Sequence, residues 1–151
     1  MKFKNNLLTL VLFLFYSLNV SASNSNDWTT YHEDDKIKIE YQKINCEYPV
    51  FFDQDFIIFK ITNLTNKDIA VSWFNELWYD KKCINCSEKK TDETLMEIHI
   101  NSNETVIGNC YDQNALRIFS KFSEKSENMP GIDKIVELTK FKLKNIITVY
   151  E

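Results

Sequence analysis

The sequence predicts an all-β domain, two antiparallel sheets packed as an immunoglobulin-like sandwich of seven or eight strands. Three observations carry this. Short segments rich in Ile, Val, Phe, Tyr and Trp recur between clusters of Asn, Asp, Ser, Thr and Lys. Several of them alternate apolar and polar residues, the period of a strand with one face on a core. Their spacing between Lys36 and Glu151 is that of a two-sheet sandwich.

The elements follow in order. A basic start (Lys2, Lys4), an apolar run from Leu7 to Leu18 and the small residues Val20-Ser21-Ala22 read as a signal peptide cut after Ala22. The apolar run is shorter than the roughly twenty residues of a spanning helix. Residues 23–35 are polar and aperiodic and read as a flexible lead-in, so the domain is placed at 36–151. Ile37, Ile39 and Tyr41 alternate onto one face of a first strand. Phe56 to Thr62 is apolar on both faces through Ile58, as a central strand is. Asn63-Leu64-Thr65-Asn66-Lys67 is a polar turn, and Ile69 to Phe74 alternates again, so these two segments are expected to form a hairpin. Glu76 to Tyr79 either continues that strand or makes a short separate one. After a charged loop at Glu88 to Glu93 come strands at Leu95 to Ile100, Thr105 to Cys110 and Leu116 to Phe122. In the last of these Leu116, Ile118 and Ser120 share a face. Ser123 to Asp133 contains Pro130-Gly131 and must be a loop; Ile132 to Leu138 has the spacing of one helical turn, and Phe141 to Val149 closes the domain.

Composition excludes several functions. Two Gly and two Pro in 151 residues, with the glycines at Gly108 and Gly131, cannot build a phosphate-cradling loop. Signal cleavage removes Lys2 and Lys4 and no acid, leaving 16 basic against 22 acidic residues, so a basic face for nucleic acid is unsupported. Arg117 is the one arginine beside seventeen lysines. That bias reads as an A/T-rich bacterial genome and carries no functional weight here, and Asn63, Asn85 and Asn103 then head glycosylation acceptor patterns by chance. The mature chain is expected to be exported to the periplasm or beyond, without stable membrane insertion.

Cys46, Cys83, Cys86 and Cys110 make an even number in an oxidising compartment, so two disulfides are expected. Three pairings are possible. If Ile69 to Tyr79 is one strand, all four gather at one end of the sandwich, and if Glu76 to Tyr79 reverses as a separate strand they do not; Cys46 with Cys110 and Cys83 with Cys86 is the preferred pairing. A thiol oxidoreductase would use Cys83-x-x-Cys86, but the usual strand-to-helix setting is missing, and Lys81, Lys82 and Glu88 to Lys90 read as a solvated loop. Four thiolates suit zinc, although oxidation competes with it outside the cell. No metal or other cofactor is expected.

The remaining chemistry is sparse. His32 falls in the lead-in and His99 on the outer side of its strand, and neither has the surroundings of a hydrolytic triad. Asp34-Asp35 and Asp53-x-Asp55 offer too few ligands for a calcium loop. The densest unusual stretch is Trp73-Phe74-Asn75-Glu76-Leu77-Trp78-Tyr79-Asp80, because an alternating strand cannot bury all these aromatics on one face. Trp73, Trp78 and Tyr79 are therefore the candidate binding patch, of the kind that stacks on sugars or anchors proteins.

Lys43-Ile44-Asn45-Cys46, Phe59 to Asn63 into Val71-Ser72-Trp73, Glu76 to Asp80, Cys83-x-x-Cys86, Gly108-x-Cys110, Leu116-Arg117-Ile118-Phe119 and Leu138 to Ile146 together resemble small uncharacterised secreted β-sandwich proteins of Gram-negative bacteria. Those proteins turn through Pro-Gly where this chain has Ser102-Asn103. The resemblance implies a secreted β-sandwich and assigns no activity. The strand-turn-strand around Asn63 to Lys67 is more loosely similar to sandwich-type secreted proteinase inhibitors. The functional expectation is a non-enzymatic exported module binding a protein or a glycan. The alternatives are an exported thiol-disulfide or hydrolytic enzyme and a structural envelope protein.

Overall fold

A computed structural model describes residues 28–49, 52–86, 94–111, 115–123 and 134–151. The expected signal peptide, residues 23–27 of the lead-in, the Glu88 to Glu93 loop and Pro130-Gly131 lie outside these residues. The strands are β1 (Thr29–Glu33), β2 (Ile37–Cys46), β3 (Gln54–Asn63), β4 (Ile69–Tyr79), β5 (Lys82–Cys83), β6 (Leu95–Ile100), β7 (Thr105–Ile107), β8 (Arg117–Phe122) and β9 (Leu138–Tyr150). They form two sheets in which every pairing is antiparallel. In the larger sheet β1, β2 and β3 lie in order, with β7 and β8 end to end on the far side of β3. In the smaller sheet β9 runs along one whole side of β4, while β6 and β5 share the other.

The alternating residues supply the core. Ile37, Ile39, Ile57, Phe59 and Ile61 face Ile69, Val71, Trp73, Ile100 and Leu143 across the sheets, and Leu116 and Ile118 close the group. Each such side chain stabilises the fold by about 1.5–3 kcal/mol on burial. The predicted face of β8 is observed, with Leu116, Ile118 and Ser120 all buried. Phe56 and Ile58 point the other way, into a second cluster with Cys46 that is covered by Trp28, Ile44, Tyr48, Cys110 and Phe119. This is why β3 is apolar on both faces.

Four expectations need correction. The segments Phe56 to Thr62 and Ile69 to Phe74 do not form a hairpin, because β3 and β4 belong to different sheets. Asn63 explains the crossing: its side chain is buried and hydrogen-bonded to both the Thr65–Lys67 bend and the end of β6, which turns the chain across the sandwich. The domain does not wait for Lys36, since Thr29–Glu33 pairs with β2. Only Tyr31 of that strand packs on the core, and an edge strand tolerates such polarity. The strand expected over Thr105 to Cys110 stops at Ile107. A Cβ on Gly108 would lie 2.4 Å from the Leu116 carbonyl oxygen, and this close approach lets Phe59 bond to Gly108 and Leu116 where β7 gives way to β8. Residues 134–137, expected to be helical, are irregular, and Leu138 already belongs to β9.

The Glu76 to Tyr79 alternative is resolved as one uninterrupted β4. The chain reverses at Asp80 and Lys81, whose φ angles of 48° and 68° give the mirror-image turn that matches strand twist. Such turns favour Asn-Gly, and an Asp-Lys pair carries no comparable signal in the sequence.

Candidate functional site

Parity along β4 sorts the aromatic run. Trp73 is fully buried in the core, with its indole N–H donated to Asn75 Oδ1 at 3.1 Å. Tyr79 also points inward and donates its hydroxyl to the Phe119 carbonyl at 2.6 Å, and burial pushes its phenol pKa up. Trp73 thus presents no surface, and Tyr79, half-buried, has its hydroxyl committed inward, which leaves Trp78 as the outward-facing member of the expected patch. That side chain is on the outer face of the smaller sheet and partly exposed. Its neighbours in register are Cys83 on β5 and Lys140 on β9. The Lys140 and Lys142 ammonium groups stand 4.6 and 5.9 Å from the Trp78 ring centroid, a cation–π arrangement.

Cys83 is bonded to Cys86, and Cys46 to Cys110. The first bridge folds a short loop beside Trp78. Asn85 within it accepts the Leu77 N–H and donates to the Asn75 carbonyl, so the loop is fastened along β4. The second bridge lies in the cluster on the outer face of the larger sheet, with Cys46 buried and Cys110 partly buried. There the Tyr48 hydroxyl donates to the Cys110 carbonyl at 2.7 Å, and the Arg117 guanidinium both donates to that carbonyl and lies 4.9 Å from the Phe56 ring. No cysteine is free.

The other candidate residues have structural partners. His32 contacts Asp34, and His99 contacts Glu97 and Glu151, all at exposed positions. Asp34 accepts the Lys36 and Ile37 N–H groups and so builds the β1–β2 turn. Asp53 accepts the Tyr48 N–H. Asp55 accepts from Asn45 and Ser123 and pairs with Lys43 at 3.3 Å. No group of three His, Cys, Asp or Glu suited to a metal ion occurs among the described residues.

Asp55 and Glu40 contribute to the acid stability. Burial raises the Asp55 pKa, but Asn45, Ser123 and Lys43 outweigh it and the net shift is downward. Glu40 is lowered by the Lys60 ammonium at 2.7 Å, against a smaller burial effect. A carboxylate with a depressed folded pKa contributes stability above its unfolded pKa and loses it as pH falls through the folded value. The melting temperature should therefore fall on acidification below about pH 4. Thermal melts across that range check this, and Asp55→Asn should flatten the fall.

A second feature lies where the sheets part between β1–β2 and β9. A cleft of about 350 Å³ opens there, lined by Tyr31, Tyr41, Ile57, Leu138, Thr139, Lys140 and Phe141. Tyr31 reaches across its mouth, stacked 5.5 Å from Phe141, and its hydroxyl accepts the Leu143 N–H at 2.7 Å. Sequence reasoning missed this feature because Tyr31 fell in the presumed lead-in. Its one available signal was an aromatic among polar neighbours.

Among the described residues, no helix is long and apolar enough to cross a membrane. Compared with known protein families, curated proteins and solved structures, the chain matches none.

Proposed function

We propose that this protein is an exported, non-enzymatic module that binds a protein or glycan ligand through the outer face of its smaller sheet. The observation that carries the reading is Trp78, a partly exposed indole held between the Cys83–Cys86 loop and the Lys140 and Lys142 ammonium groups. An indole face beside cations suits the stacking and polar contacts of a sugar or an acidic protein surface. Export is supported by the signal-like first residues and by the two disulfides, which persist outside the reducing cytosol. The resemblance to secreted β-sandwich proteins of Gram-negative bacteria agrees with this compartment.

The strand order supports an immunoglobulin-like connectivity. β2, β3 and the β7/β8 pair match strands A, B and E of that fold, and β4, β6 and β9 match C, C′ and F. β1 is then an addition beside A, and no strand occupies the place of G among the described residues.

Glycan and protein arrays probed with the exported chain test the function. Trp78→Ala should weaken the ligand by about tenfold or more without lowering the melting temperature, since a hot-spot aromatic is worth about 2 kcal/mol. Turnover in insulin-reduction or hydrolase assays, abolished by Cys83→Ser in the redox case, would replace the binding module with an enzyme.

A further inference from the structure

The smaller sheet ends on β9, a strand of 13 residues that no other strand pairs on the side away from β4 among the described residues. Long open edges are hazardous, and native sheets shorten, bulge or charge them. β9 is bulged twice against β4, at Asn145 with φ of 54°, where the register slips between Ser72 and Phe74, and again at Thr139, where it slips between Trp78 and Tyr79. On its outer face it carries Lys140, Lys142 and Lys144, then Ile147 and Val149, which are 54% and 56% exposed. It holds no acidic residue. Beside its first half is the cleft walled by the apolar Tyr31, Tyr41, Ile57, Leu138 and Phe141, with Thr139 and Lys140 also lining it.

We infer that β9 is the docking edge, and that the partner adds an extended acidic strand to the smaller sheet. This deepens the proposed binding function and rests on it. Main-chain hydrogen bonds would continue the ladder, and alternate side chains would supply specificity. On the outer face, acidic residues of the incoming strand meet Lys140, Lys142 and Lys144, followed by apolar residues at Ile147 and Val149. On the inner face its bulky apolar side chains enter the cleft, with Tyr31 swinging off the Leu143 N–H. Charge decides the occupant. A second copy would bring its own lysine-bearing, acid-free β9 to the edge, whereas an acid-bearing strand matches the three lysines.

Peptides about ten residues long that alternate Glu or Asp with Val, Ile or Leu are the probe. They are added to the full exported chain while β9 amide hydrogen exchange is followed, with the same peptides carrying Lys for Glu and Asp as control. The expected result is slowed exchange at β9, starting with Leu143, from the acidic peptides alone. Lys144→Glu, at an exposed position, should weaken that binding about tenfold while the melting temperature holds. Absence of binding by every acidic peptide, or equal binding by the lysine peptides, would overturn the inference. So would concentration-dependent dimers whose β9 amides are already protected. A ligand from the arrays that depends on Trp78 but leaves β9 exchange unchanged would remove the added strand and keep the binding module.

Discussion

Replacing Cys46 and Cys110 together by Ala is expected to lower stability by about 4 kcal/mol, against about 2 kcal/mol for the Cys83 and Cys86 pair. The two bridges differ in how much chain they close, with separations of 64 and 3 residues, and a longer loop loses more conformational freedom in the unfolded state. They also differ in setting. Cys46 is buried beside Phe56 and Ile58, so its removal also loosens the cluster on the outer face of the larger sheet. Cys83 is partly exposed and Cys86 exposed, and Asn85 also holds their loop on β4 through two hydrogen bonds of its own. Urea unfolding of both double variants checks the order. The Cys46 and Cys110 variant should melt about 10–20 °C lower than the intact protein. Equal losses would mean that the loop closed by Cys46 is already restrained in the unfolded chain.

The strands were legible where burial alternates. Ile37 and Ile39, Ile69, Val71 and Trp73, and Leu116 and Ile118 each declare one buried face, and each occupies it. Partnership was not legible, because periodicity describes one strand at a time. β3 and β4 read as a hairpin until the buried Asn63 side chain shows the chain changing sheets. β1 escaped notice because Thr29, Thr30, His32 and Glu33 are polar and Tyr31 alone packs inward. At the candidate site, the aromatic run pointed to β4, and parity over an unbroken β4 would have separated outward Trp78 from inward Trp73 and Tyr79. The lysines of β9 read, by number alone, as a compositional habit of the whole chain. Their period of two places all three on one face of β9, which composition does not report.

Asn63→Asp is expected to cost about 3–5 kcal/mol at neutral pH, although the side chain keeps its size. The Asn63 amide nitrogen donates to the carbonyls of Lys67, Ile100 and Asn101 at 2.8, 3.2 and 2.9 Å. Its oxygen accepts the Thr65 N–H and hydroxyl, both at 2.9 Å. A carboxylate satisfies that second set and faces the first with charge against three oxygens. Burial and those carbonyls would raise the pKa of the new acid above its unfolded value. A group with a raised folded pKa is least harmful below its unfolded pKa, and its cost grows as pH rises through the folded value. The variant should therefore regain part of its lost stability on mild acidification, opposite in sign to the loss that Asp55 and Glu40 impose on the parent. Recovery stays incomplete, because a protonated carboxyl has one donor where the amide has two. Asn63→Ala should be destabilised as well, with no added pH dependence, so paired melts from neutral pH to about pH 4 separate lost hydrogen bonds from buried charge. The same contacts decide the acceptor pattern Asn63-Leu64-Thr65: the amide nitrogen that would carry a glycan is buried and already committed to three carbonyls, so the folded chain offers no acceptor there.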